Sequence, residues 1–178
     1  MFKKVFRLYW DKDAEEIWLN EMSNKGWALT NFFLGVYTFK KCENGEYCYR
    51  IDLMKDFVHS KESIDYIKFV EETGAEFVAS WGRWVFFRKR TSDGKFDLYT
   101  DIESKINSYK EIRKMFGILG IAELLIGISQ IGNIYDHFRV YSLIAMIIIF
   151  LLAAILLRIA IKTTNKIKKL EKEHSIKD

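Results

Sequence analysis

"IWLNEMSNKGWALTNFFLGVYTFKKCENGEYCYRID" (residues 17–52) decides how the first half of this chain folds, because it returns in altered form as "DYIKFVEETGAEFVASWGRWVFFRKRTSDGKFDLYTD" (residues 65–101). At an offset of 48, Trp18, Leu19, Met22 and Gly26 fall on Tyr66, Ile67, Val70 and Gly74. Phe39, Lys40 and Lys41 fall on Phe87, Arg88 and Lys89. After one extra residue, Asn44, Gly45, Tyr47, Tyr49 and Asp52 fall on Asp93, Gly94, Phe96, Leu98 and Asp101. Self-similarity of this kind predicts two copies of one supersecondary unit.

Each copy reads as a helix followed by extended chain. Asp13 with Glu16 supplies a capping-type start, Ile17, Trp18, Leu19 and Met22 keep helical spacing, and Gly26 is a C-terminal stop. Gly74 ends the second helix in the same way. Residues 28–41 and 76–90 are β-prone, each bent or folded into a hairpin around Gly35 and Gly82. With "KVFRLYW" in front and "EYCYRIDLM" between the copies, the order is β-α-β, β-α-β. That is an α+β, ferredoxin-like split βαβ sandwich, here occupying residues 1–100. Helices cover one face of such a sheet, so its aromatic residues go either into the core or onto the other face. Trp27, Tyr37, Trp81 and Trp84 are the candidates for a surface that takes an apolar small molecule, a peptide or a partner domain.

No catalytic constellation stands out. The chain has no Gly-rich phosphate loop, no nucleophile elbow, and no His spaced from a Ser or Cys in a catalytic pattern. Glu15, Glu16, Glu71 and Glu72 read as the solvated faces of helices. In "CENGEYC" a Glu43-Asn44-Gly45 turn would place Cys42 and Cys48 together on one sheet face. A second Cys pair is lacking and His59, His137 and His174 are scattered, so a zinc site has no ligand set and the thiols read as ordinary strand cysteines. The expectation is a protein that is not an enzyme and uses no metal or cofactor.

Charge separates the rest of the chain. Residues 1–110 balance at 18 Lys+Arg and 18 Asp+Glu, whereas residues 111–178 hold 10 against 6, so the whole net charge of +4 lies C-terminal. A neutral first domain argues against nucleic acid, whose binders gather Lys and Arg on one face. Residues 116–134 and 140–161 are apolar and would make helices of roughly 28 and 33 Å, each enough for a hydrocarbon core. Only "YDHFR" separates them, which predicts an antiparallel transmembrane hairpin over residues 116–161, with a basic tail at 162–178. Lys105, Lys110, Arg113 and Lys114 precede the first segment, and Lys162, Lys166, Lys168, Lys169 and Lys172 follow the second. Both termini are therefore expected in the cytoplasm. The other arrangement, one span plus an amphipathic helix carrying Glu123 on the membrane surface, would put the two basic clusters on opposite sides.

Within the first segment Gly120, Glu123, Gly127 and Gln130 recur at steps of three, four and three, which gathers small and polar residues on one stripe. Ser142, Ala145, Ala153 and Ala160 offer a matching stripe on the second. Arg158 is the obvious charge partner for Glu123, although it lies nearer the cytoplasmic interface and can also snorkel to headgroups, and a protonated Glu123 bonded to Gln130 or to another copy of the hairpin is the alternative. Homo-oligomerisation through the hairpin is a further use of the same stripe. Residues 101–115 form a linker helix: Thr100 with Glu103 makes a capping box, and Ile102, Ile106 and Tyr109 continue without Gly or Pro into the first span.

"WLNEMSNKGW", "ENGEYCYRID", "EETGAEFVASWGRWVFFRK" and "LYTDIESKINSYK" together resemble a bacterial family of uncharacterised proteins commonly encoded beside PadR-type transcriptional repressors, over residues 1–114. The resemblance implies a regulatory role or a response to envelope-active compounds, and it brings no catalytic or ligand residues with it. Two functional expectations stand side by side. One is a membrane-anchored sensory or regulatory module whose aromatic-rich domain binds a small ligand or regulator protein. The other is a non-catalytic accessory subunit of a transporter or other membrane complex, docking through its hairpin.

Overall fold

The computed structural model describes residues 1–136 and 140–175, the side chains of residues 132–136 excepted. His137 and Arg139 of the connecting "YDHFR" and the last three residues of the basic tail lie outside the described residues. The chain divides into two units, Met1–Thr100 and Asp101–Asp178.

In the first unit the order is β1 (Phe2–Phe6), α1 (Lys12–Asn24), β2 (Trp27–Phe33), β3 (Val36–Lys41), β4 (Tyr47–Leu53), α2 (Lys61–Glu72), β5 (Glu76–Trp81) and β6 (Trp84–Arg90). The strands form two antiparallel three-stranded sheets, β1-β3-β2 and β4-β6-β5. The single four-stranded sheet expected from the sequence is not what forms, because each β-prone stretch is a complete hairpin and each copy thus supplies three strands. Since β3 runs antiparallel to both its neighbours, β1 and β2 are parallel with β3 inserted between them. β4 and β5 stand in the same relation around β6.

The repeat extends to irregularities that composition alone would not reveal. Register shifts interrupt β2 between Leu29 and Asn31, and β5 between Phe77 and Ala79, at equivalent positions of the two copies. Both helices end on a left-handed glycine, Gly26 at φ 75° and Gly74 at φ 84°. Both hairpins turn in two residues. Gly82 adopts φ 61°, whereas the first turn places Leu34 (φ 46°) and Gly35 (φ 77°) both left-handed, the mirror-image geometry that matches strand twist. Leu34 is the one non-glycine residue with positive φ among the described residues.

α1 is capped by Asp11, whose side chain accepts from the Asp13 N–H at 3.1 Å, and not by Asp13. Trp18, Leu19, Tyr37, Phe39, Tyr49 and Phe86 form a first core drawn from α1 and both sheets. Val70, Val85, Phe87 and Phe96 belong to a second, between α2 and the other face of the second sheet. The sheets meet along β2 and β5. The Leu29 N–H donates to the Tyr49 hydroxyl at 2.9 Å, Arg88 donates to the Leu29 carbonyl at 3.3 Å, and the rings of Phe32 and Phe86 lie 4.8 Å apart.

β3 and β4 do not pair with each other, so "CENGEYC" is the joint between copies and not a hairpin turn. Cys42 consequently packs beside the first core and Cys48 beside the second, both as free thiols. This corrects their placement together on one sheet face.

The second unit holds α3 (Ile102–Asp136) and α4 (Val140–Ser175). Asp101 starts α3 by accepting from the Ser104 N–H at 2.7 Å, in place of the expected Thr100, and the helix runs unbroken through the linker. α4 likewise continues well past residue 161. Both are long and apolar enough to cross a membrane, with only 11% and 17% of their apolar windows buried in the structure. A core helix of a soluble domain would bury most of such a window; these two turn residues such as Ile118, Leu125, Ile144 and Leu151 outward.

Candidate functional site

α1 turns two carboxylates inward. Glu16, Asn20 and Ser23 recur at steps of four and three, and each side-chain oxygen accepts one N–H from the free edge of β4. Glu16 takes Ile51 at 2.9 Å, Asn20 takes Tyr49 at 2.7 Å, and Ser23 takes Tyr47 at 3.0 Å. A strand edge that would otherwise pair with another chain is closed by helix side chains. Burial raises the Glu16 pKa, against the opposing pull of the Lys12 ammonium, 3.8 Å away. Lys12 also donates to the Ile51 carbonyl at 3.1 Å. Next to it the buried Asp52 carboxylate accepts from the hydroxyls of Tyr66 at 2.7 Å and Tyr99 at 2.6 Å. Burial first, and then the Asp52 charge, push the Tyr66 phenol well above its ordinary value.

Glu15, one residue along, accepts from the Tyr37 hydroxyl at 2.5 Å. Burial lifts its pKa to about 7, the Tyr37 hydrogen bond opposing the rise and neighbouring Glu16 adding to it. The solvated-face reading of Glu15 and Glu16 is thereby corrected. Both lie three residues before Trp18 and Leu19, on the apolar stripe itself, and that spacing was a usable signal.

The four aromatic candidates do not form one surface. Tyr37 is only 1% exposed, a core residue whose ring packs on Trp18 and Phe32. Trp27 is half-buried at the end of β2 remote from the turn, its ring under the ammonium groups of Lys41 at 4.3 Å and Lys3 at 5.2 Å. Trp81 and Trp84 face each other across the β5–β6 hairpin, where Trp81 is 42% exposed. Only this last pair offers aromatic surface.

A different face, absent from the sequence reading, is open. On the first sheet, Val5, Tyr37 and Phe32 align across the strands toward the core, so the next row, Phe6, Val36 and Phe33, points the other way. Neither α1 nor α2 covers it: Phe6 is 68% and Phe33 61% exposed. Leu8 and Phe6 crowd against Gly35 at the turn, and Leu34 projects beside them at 53% exposure. The second sheet explains the difference. Its Ile51–Phe86 pair is buried, whereas the corresponding register position of the first sheet is Lys4–Thr38. Strands β1, β2 and β3 carry four lysines and no carboxylate.

On the hairpin, Gly117, Gly120 and Gly127 lie against Ala160, Leu157 and Phe150, which sets Glu123 level with Ala153 and Ala154. Gly120 and Gly127 are buried at the helix contact, and Glu123 is half-buried. Gln130 and Arg158 are exposed. Among the described residues neither Glu123 nor Arg158 has an ion-pair partner, and no group of three or more His, Cys, Asp or Glu side chains could hold a metal ion.

Fold and site define a class: a small duplicated α+β domain with an open aliphatic and aromatic sheet face, continued by two long apolar helices. A family profile described as "Protein of unknown function (DUF2812)" matches residues 11–121, and the chain belongs to that family. No curated protein and no solved structure matches it.

Proposed function

We propose that this protein is a membrane-anchored regulatory binding module. Its helical pair α3–α4 spans the bilayer with both chain ends in the cytoplasm, and its α+β unit binds a small apolar ligand or a regulator protein. The observation that carries the anchor is the outward-facing apolar surface of both long helices, so little of which is buried. The basic clusters before residue 116 and after residue 161 support the orientation. Trp81 and Trp84 supply the exposed aromatic pair for the ligand or regulator. The regulatory part draws on the resemblance to proteins encoded beside PadR-type repressors. The split β-α-β connectivity of each half supports a ferredoxin-like origin for the domain.

A second reading, an accessory subunit of another membrane complex, is favoured by Glu123: α4 covers it only in part, and it lies within an apolar segment. Full-length protein in native membranes tests both. It should resist carbonate extraction, and a reporter fused after Asp178 should report the cytoplasm. Loss of partner binding on Trp81→Ala or Trp84→Ala supports the first reading. Loss on Glu123→Ala, with the tryptophan variants unaffected, transfers the assignment to the second.

A further inference from the structure

We infer that the open face of the first sheet lies on an anionic lipid surface, with the Phe6–Val36–Phe33 row and the Leu34 turn entering the interface. The inference rests on the anchored reading above, since only a tethered domain stays close enough to a bilayer for so small a patch to hold it.

The face has the composition that such a surface selects. Its apolar end is compact, because Phe6, Val36 and Phe33 stand in register across all three strands and Leu8 and Leu34 extend the row at the turn. Behind that row come Lys4 and Lys40, which belong to this same face by strand alternation, while Lys3 and Lys41 stand on the opposite side of the sheet over Trp27. Without a carboxylate on any of the three strands, the sheet is cationic inside a unit whose overall charge is balanced. Apolar side chains backed by lysines match the acyl boundary and the negative headgroups of an anionic leaflet. An acidic protein partner would satisfy the lysines but not a protruding left-handed leucine with two phenylalanines. The second copy differs behind the equivalent row: Leu53, Trp84 and Trp81 stand where Phe6, Val36 and Phe33 do, but the position of Lys4 and Thr38 is taken by Ile51 and Phe86, which are buried in the first core.

The test uses the full chain in vesicles of phosphatidylcholine, with or without about one-third phosphatidylglycerol. An environment-sensitive fluorophore is placed on Leu34→Cys in a Cys42→Ser, Cys48→Ser background, and on Ser92→Cys as a control away from the face. The expected result is a blue-shifted Leu34→Cys label, quenched by acyl-chain spin labels only when phosphatidylglycerol is present, with the Ser92→Cys label remaining in water. Lys4→Glu and Lys40→Glu should each lower the shielded population roughly fivefold or more. A label in water in both vesicle types, on protein that resists carbonate, overturns the docking and leaves the anchor standing. Equal shielding in both vesicle types also overturns it, and assigns the face to a second copy if the shielding fades as protein is diluted in lipid. Protein that washes off in carbonate removes the anchor and the docking together.

Discussion

Glu15 shows how one side chain can tie stability to pH. Its carboxyl titrates at about 7 in the folded chain, against 4.5 ordinarily, because burial disfavours its charge. Between those values the folded protein keeps a proton that the unfolded chain has released. The stabilisation is therefore complete below pH 4.5, falls as pH rises, and is lost above pH 7. Glu15→Gln, which can still accept from Tyr37, should flatten this dependence and make the protein more stable at pH 8 by on the order of 2–3 kcal/mol. Urea midpoints at pH 5 and pH 8 measure the difference. Asn20 makes a separate case. Removing its amide in Asn20→Ala leaves the buried Tyr49 N–H without its 2.7 Å acceptor, at a cost of about 1–3 kcal/mol, and Asn20→Asp should recover part of it in thermal unfolding. Neither role was visible from composition. Charged and amide side chains on a helix usually face water, and only their i−3 relation to Trp18 and Leu19, or their i+4 relation along a strand edge, distinguishes these.

At the level of elements, glycine spacing in the apolar helices translated directly into packing. A Cβ on Gly120 would stand 2.9 Å from Leu157 Cγ and 3.1 Å from its backbone nitrogen, whereas one on Gly117 would meet only the Ala160 methyl at 4.0 Å. Gly120→Val should therefore loosen the α3–α4 contact by about 1–3 kcal/mol, while Gly117→Ala stays near neutral. Thermal unfolding of the full chain in detergent micelles, read by helical dichroism, distinguishes them. The same stripe did not predict that Gln130 would be exposed, because its repeat of three and four residues drifts around the helix as it lengthens. The β elements were legible in their order and unclear in their number. Gly35 and Gly82 marked sites where the chain bends or turns back, and a bend and a hairpin differ by one strand per copy. Hydrophobic pattern alone leaves that choice open, since both outcomes alternate with period two.

For the whole molecule, the offset of 48 carried most of what could be read in advance, and it holds down to the paired bulges and the glycine stops. It could not reveal that the copies are unequal, because that inequality sits in a few positions such as Lys4 and Thr38 against Ile51 and Phe86. Helix α1, from the first copy, seals the edge of β4 in the second; the residues of α2 at the matching places are Ile64, Lys68 and Glu71, which offer no comparable row of acceptors. The second half by itself would thus present a naked strand border. Within one polypeptide that cover is built in, so the second half keeps its border capped by a helix that its own sequence does not encode.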